Sequence, residues 1–209
     1  MWIRSTRLQG DVNRLEEAVN TYRQKVAPAM AELPGYMGAV VIANRETGLA
    51  ESVVYWQDEA ALKATEASGE EMRARIAAEL GAKIIEVDRL ELVIVERAAP
   101  VQAGTFVRTN DVKGDPAKLD EGTAFIRDQV IKVLTAQPGF RALVTGINRQ
   151  TGRAVTASTW DSLDALKKSE AAVVDLREQA VKASGATDVK VEIWESVFVE
   201  MKTAATLPG

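Results

Sequence analysis

The sequence contains neither histidine nor cysteine. That absence excludes an imidazole base or ligand, a thiolate nucleophile, a disulfide framework and any zinc or iron–sulfur site built on these residues. Aromatic residues are also scarce, at 5% of 209 residues. Carboxylates, Tyr, Ser, Thr, Lys, Asn and backbone groups are left to do any chemistry. Charge of one sign is lacking too: 26 Lys and Arg against 30 Asp and Glu leave −4, with no long run of either sign. A phosphate backbone has no basic track to follow, so no nucleic-acid partner is expected. No apolar run approaches the roughly 18 residues that span a bilayer. The longest are segments such as 39–43 and 92–95, and the N-terminus has no hydrophobic signal core. These absences predict no membrane association and a cytoplasmic location. What is present, 46% hydrophobic and 27% charged residues, suits one or two compact globular domains.

The most informative feature is an internal repeat. Pro34-Gly35-Tyr36 returns as Pro138-Gly139-Phe140, Asn44-Arg45-Glu46-Thr47-Gly48 as Asn148-Arg149-Gln150-Thr151-Gly152, and Trp56 as Trp160, each 104 residues on. The same offset carries Ala61-Leu62-Lys63 onto Ala165-Leu166-Lys167 and Arg4 onto Arg108. An ungapped register of this length marks a duplicated domain, because solenoid repeats run about 20 to 50 residues. The expected organisation is a first repeat over 1–97, a linker over 98–103 containing Pro100, a second repeat over 104–201 and a tail over 202–209.

Within each repeat the hydrophobic period changes from strand to helix and back. Residues 2–8 and 105–112 alternate like strands, whereas Val12, Leu15, Val19, Tyr22, Val26 and Met30 recur at helical spacing, as do Leu119, Ile126, Val130 and Leu134. Pro28 interrupts the first of these helices and Lys132 replaces it in the copy, which predicts a kink or an early end in the first repeat only. Two strands follow, 37–43 and 49–56 with their copies 141–147 and 153–160, joined by the Asn-Arg-x-Thr-Gly turn. A second helix is expected from the caps Asp58 and Ser162 to Gly81 and Gly185, and a last strand over 84–96 and 188–200. The order βαββαβ is the ferredoxin-like arrangement, an antiparallel sheet with both helices on one face. Apolar residues on both sides of the last strand, as in Leu90 to Val95, require the other face to be covered too. The fold class is therefore α+β: two ferredoxin-like units packed sheet to sheet as a fused, pseudo-dimeric barrel. A monomer with an internal pseudo-dimer, or a homodimer of it, satisfies this arrangement.

These residues resemble the dimeric α+β barrel superfamily, in particular its antibiotic-biosynthesis-monooxygenase-like domains. The likeness lies in Pro-Gly-aromatic opening the second strand, a following strand that ends in Trp56 or Trp160, and a capped helix carrying Ala-Leu-Lys. The resemblance implies either a cofactor-independent monooxygenase-type enzyme acting on a small aromatic or polyketide-like molecule, or a non-catalytic ligand-binding or accessory barrel. It implies no cofactor. In the haem-degrading branch the axial His of the second helix would fall near Arg75 and Gln179, a second Trp near Ala64 and Lys168, and an active-site Asn at Thr6 or Asn110. Only Asn110 matches, so haem degradation is not expected.

By the same resemblance, the catalytic candidates that would line a cavity between helices and sheet are Asn110, Trp56, Trp160, Tyr22 and Tyr55, with Tyr36 beside them. Trp56 and Trp160 equally suit a purely packing role, since both copies keep them. The ligand-binding candidates are Arg4, Glu91, Arg108 and Glu195, charges on strands that need partners. The topology predicts Arg4–Glu91 and Arg108–Glu195 pairs across adjacent strands, either as ion pairs fixing register or as a site for a small-molecule ligand. Glu70, Glu71, Arg73 and Arg75 read as a solvated helix face, and no metal-binding constellation is visible.

Overall fold

The computed structural model describes residues 1–202, so the expected tail over 202–209 lies, from residue 203 on, outside the described residues. The chain is an α+β protein in which two ferredoxin-like units are fused into an eight-stranded antiparallel barrel of hydrogen-bonded order β1-β3-β2-β8-β5-β7-β6-β4. The strands of the first repeat are β1 (Trp2–Gln9), β2 (Tyr36–Ala43), β3 (Leu49–Trp56) and β4 (Lys83–Arg97); those of the second are β5 (Phe106–Lys113), β6 (Phe140–Asn148), β7 (Arg153–Trp160) and β8 (Lys190–Met201). No helix among the described residues is long and apolar enough to cross a membrane.

Compact units and sequence repeats do not coincide. One unit comprises Met1–Leu90 together with the stretch starting at Ser196; the other is Glu91–Glu195. The long last strands cause the difference. Residues 91–97 of β4 pair with β6, and residues 190–195 of β8 pair with β5, inside the second unit.

In the first unit, β3 lies between β1 and β2, with Arg4 opposite Val54 and Val41 opposite Ser52. The Asn44 turn forms as its residue types demand: the Asn44 side chain accepts from the backbone N–H groups of Glu46 and Thr47, and Gly48 adopts φ 73°. Only glycine suits that place, because a Cβ there would lie 2.3 Å from the Gly10 carbonyl oxygen. Trp56 is fully buried with its ring edge-on to Tyr36, among Leu62, Met30 and Phe198.

The helices differ from the sequence reading in two ways. The first is built from α1 (Leu15–Thr21), a π-helical stretch Tyr22–Val26 and α2 (Ala27–Ala31). Its copy has the same stretch, Ile126–Val130, between α5 (Leu119–Phe125) and α6 (Ile131–Thr135). The irregularity therefore occurs in both repeats, and Pro28 is not its cause. The π stretch places Tyr22 and Val26 in the first unit, and Ile126 and Val130 in the second, on the cavity walls described below.

The second helix is also broken, into α3 (Glu59–Ala64) and α4 (Glu66–Leu80), with α7 (Leu163–Lys168) and α8 (Glu170–Ala183) as the copy. At the break the Thr65 hydroxyl donates to the Leu62 carbonyl at 2.9 Å, and Ser169 donates to Leu166 at 2.7 Å. These carbonyls have lost regular helical partners, and side chains take them up.

Candidate functional site

The break after α3 is where the first candidate residue goes. Arg4, only 2% exposed on β1, sends Nη2 to the Leu62 carbonyl at 2.7 Å, to Thr65 Oγ1 at 3.2 Å and to Glu66 Oε2 at 3.2 Å. Its partner is thus Glu66, at the first residue of α4, and not Glu91. Glu91 belongs to the second unit, where Arg149 Nε donates to it at 2.8 Å. Arg108 repeats the Arg4 arrangement, with Nη2 2.5 Å from the Leu166 carbonyl and 3.1 Å from Glu170. It stands opposite Ile193, while Glu195 stands opposite Phe106. Strand adjacency was a sound expectation, but the long guanidinium side chains turn instead to carbonyls freed at a helix end, where a charged donor is worth most. Glu91 and Arg149 are 35% and 49% exposed. Glu91→Gln is therefore expected to lower stability by less than about 1 kcal/mol, read from the urea midpoint.

Glu66 is held by three arginines. Arg89 donates Nε to Oε2 at 3.0 Å and Nη2 to Oε1, Arg4 contacts Oε2, and Arg73 Nη2 lies 3.5 Å from Oε1. The hydrogen bond from Arg89, then the charges of Arg4, Arg89 and Arg73, outweigh desolvation and pull the carboxyl down to about 2.

Arg4 and Arg73 line a cavity of about 150 Å³ between the helices and the sheet of the first unit. Leu15, Val19, Val26 and Met30 wall it from the helices, Val41 and Val54 from the strands, and one end reaches the exposed Asp11 and the partly exposed Arg14. A closed apolar cavity of this size holds one aromatic ring, and because this one opens at the Asp11 end a larger fused ring system can extend outward from it. Its other polar groups are Thr6, Ser52 and Tyr22. Ser52 donates to the Tyr22 hydroxyl at 3.1 Å, which leaves the tyrosine proton free for a ligand, and burial pushes Tyr22 up to about 12. The group is a hydrogen-bond donor at neutral pH, not a base.

The copy is smaller, and its arginine is engaged. Its cavity is about 80 Å³. Arg177, the counterpart of Arg73, makes a two-pronged ion pair with Glu170 at 2.7 and 2.8 Å and donates Nε to Asn110 at 2.8 Å. Asn110 thus braces an arginine. Ile126, Thr156, Val173 and Ile193 replace Tyr22, Ser52, Gly69 and Arg89.

Among the remaining candidates, neither Trp56 nor Trp160 lines the cavity of its own unit; both are fully buried in the apolar clusters. Tyr55 lies one residue from Val54 and Trp56 on β3, so strand alternation points it to the opposite sheet face. Sequence reading missed Glu66, Gly69, Ser52 and the inward turn of Arg73. One signal was available: positions 69, 73, 76 and 80 form a single helical stripe, in which Arg73 interrupts Ile76 and Leu80.

The fold defines the class: an α+β protein whose two ferredoxin-like units, related by an internal tandem duplication, are fused into an eight-stranded antiparallel β-barrel. No family model matches the sequence. Two proteins of Mycobacterium tuberculosis H37Rv are similar along nearly the whole chain. Uncharacterized protein Rv2558 is 25% identical over 97% of this chain and 86% of its own length. Uncharacterized protein Rv2557 is 23% identical over 90% and 84%. Among solved structures, a protein of Lactobacillus acidophilus NCFM that carries a provisional monooxygenase name aligns over 99% of both chains with TM-score 0.70 and 10% identity. An anthrone oxidase-like protein aligns over 99% of this chain and 97% of its own with TM-score 0.67 and 18% identity. The heme-degrading enzyme LmHde of Listeria monocytogenes aligns over 94% and 99% with TM-score 0.55 and 6% identity. At these identities the likeness is one of fold.

Proposed function

We propose that the protein binds a small, flat, largely apolar molecule in the cavity of the first unit, and that the second unit serves as scaffold. The observation that carries this reading is the difference between two copies of one design. The first cavity is about 150 Å³ with Tyr22, Ser52 and Arg73 on its wall, whereas the second is about 80 Å³ with its arginine occupied by Glu170 and Asn110. The groups of the first cavity suit binding better than proton transfer. Tyr22 stays protonated, and the Glu66 carboxyl, which pairs with the cavity's arginines without lining it, titrates near 2, so neither is poised as a base at neutral pH.

A second reading is oxygenation of an electron-rich ring, and it is favoured by the buried arginines, which would hold a deprotonated substrate. On this reading an anthrone methylene and O2 give the quinone carbonyl and water, with the ring supplying the electrons. Oxygen uptake with anthrone, above the rate without protein, is the measurement that would move the assignment to this reading.

Gly69→Val tests the binding reading, since it writes into the first unit the residue that the copy carries at Val173. A Cβ at position 69 meets only the ends of two arginine side chains, at 3.0 and 3.1 Å, so the helix tolerates it. In isothermal titration the parent is expected to bind naphthalene-2-carboxamide and Gly69→Val to lose at least about tenfold in affinity, with its fold intact by circular dichroism. Equal affinity in parent and variant, or no binding by the parent, would contradict the assignment of this cavity.

A further inference from the structure

We propose that the inner end of the first unit's cavity is a subsite for a planar acid group of the ligand, a carboxylate or a phenolate or enolate oxygen, received by Arg4 and Arg73. The proposal rests on the binding reading above and names the class of molecule the cavity takes: an aromatic or similarly flat acid.

Three observations converge on it. First, every hydrogen bond of Arg4 leaves from Nη2, and its Nε is buried with no hydrogen-bond partner among the described residues. A guanidinium presents five N–H donors, so most of this one is left without a protein partner among the described residues, its Nη1 group beside the cavity. Second, Arg4 and Arg73 point at a common spot. A Cβ on Gly69 would lie 3.1 Å from Nη1 of Arg4 and 3.0 Å from Nη1 of Arg73. Glycine at the fourth residue of α4 costs helix stability relative to alanine, and here its missing side chain leaves room beside two cations. In the copy Val173 fills that room. Third, charge does not balance at the spot. Among the described residues Glu66 is the one carboxylate in ion-pair contact with Arg4, Arg73 and Arg89, and Arg89 takes both of its oxygens; Glu70 acts on Arg73 and Arg89, and Asp88 on Arg89, without such contact, and neither offsets Arg4. Arg4 and Arg73 thus repel each other across a poorly solvated space, and burial lowers the guanidinium pKa of both. An anion placed between the two Nη1 groups removes that repulsion and uses the idle donors in charge-assisted hydrogen bonds. The rest of the cavity wall is mostly apolar, with Thr6, Ser52 and Tyr22 as its other polar groups and Asp11 and Arg14 at the outer end, so an acid carried on a flat apolar ring suits it better than a small hydrated anion.

The matched probes are naphthalene-2-carboxylate and its neutral isostere naphthalene-2-carboxamide, titrated calorimetrically at pH 7 into the full chain. The carboxylate is expected to bind about tenfold more tightly than the amide. Arg73→Met is expected to erase that preference while leaving amide affinity within about twofold, and Arg73→Lys to retain most of it. Arg73 is the residue to change because Arg4 also holds the α3 carbonyl, and its loss would confuse folding with binding. Amide binding with no preference for the carboxylate, or a preference that survives in Arg73→Met, overturns the subsite and leaves the cavity reading standing. Failure of both probes to bind the parent overturns both.

Discussion

Truncating Trp56 to alanine will destabilise the protein by about 3 to 5 kcal/mol, the usual cost of removing a large aromatic side chain from a core. Trp56 is 0% exposed, its ring stands edge-on to Tyr36 at 6.2 Å, and the Arg4 guanidinium carbon lies 5.5 Å over it. Deleting the indole empties the floor under a buried cation, which then loses a favourable ring face as well as packing. A domain whose whole stability is about 5 to 15 kcal/mol loses much of it in one step. Trp160→Ala should behave alike, because Phe140 and Arg108 repeat the arrangement at 5.6 and 6.0 Å. The phenylalanine variants separate the two copies. Trp160 Nε1 donates to Ser158 at 3.1 Å, whereas Trp56 Nε1 is buried without a hydrogen-bond partner among the described residues and Val54 stands at the serine position. Trp160→Phe therefore breaks a hydrogen bond that Trp56→Phe does not, and should cost about 1 kcal/mol more by urea denaturation. If the two variants were equally destabilised, the orphaned indole N–H would have to be satisfied in solution. Probe binding by Trp56→Phe should match the parent, since Trp56 does not line the cavity.

What the sequence made legible was everything set by periodicity and by turn chemistry. An ungapped repeat puts corresponding elements at corresponding places, and the strand, turn and cap residues fall where local rules place them: Asp58 and Ser162 cap α3 and α7, and Gly48 and Gly152 take positive φ. What stayed hidden depends on tertiary partners. The step between α3 and α4 has no Pro or Gly to announce it; Thr65 and a strand arginine satisfy the freed carbonyl, and neither signal is local. The π stretch appears in both copies despite Pro28 in only one, so shared packing sets it. The ion pairs were misassigned because strand order gives adjacency without saying where a long flexible side chain ends. The binding asymmetry was readable in principle. Position-by-position comparison at the 104-residue offset isolates Tyr22/Ile126, Ser52/Thr156, Gly69/Val173 and Arg89/Ile193, all on elements that meet around one cavity or its carboxylate.

Neutralising Glu66 should weaken the fold and strengthen the binding of acids, and this opposition distinguishes the carboxylate from an ordinary surface acid. Glu66 shares its oxygens among Arg4, Arg73 and Arg89, and Arg4 is 2% exposed, so Glu66→Gln leaves a buried guanidinium without its counter-charge. Because the carboxylate itself is about one-third exposed, solvent screens part of the loss, and about 1 to 3 kcal/mol at pH 7 is expected. The pH dependence has a fixed sign. The folded-state pKa of Glu66, about 2, lies below its unbound value of 4.5, so the stability that it contributes is fully present above about pH 4.5 and is lost as pH falls towards 2. Urea midpoints of the parent should therefore fall through that window more steeply than those of Glu66→Gln, with the two curves converging at the acid end. In the copy, Glu170 is also held below its ordinary value, chiefly by the hydrogen bond from Arg177, but without a third arginine, since Ile193 replaces Arg89. Glu170→Gln should accordingly remove less of the acid slope. At the cavity the same change acts in the opposite direction: with Glu66 neutral, the field of Arg4 and Arg73 at the Gly69 spot is no longer offset, and naphthalene-2-carboxylate should bind Glu66→Gln more tightly than the parent. A variant that lost stability and acid affinity together would mean that Glu66 holds the two arginines in place rather than tempering their charge.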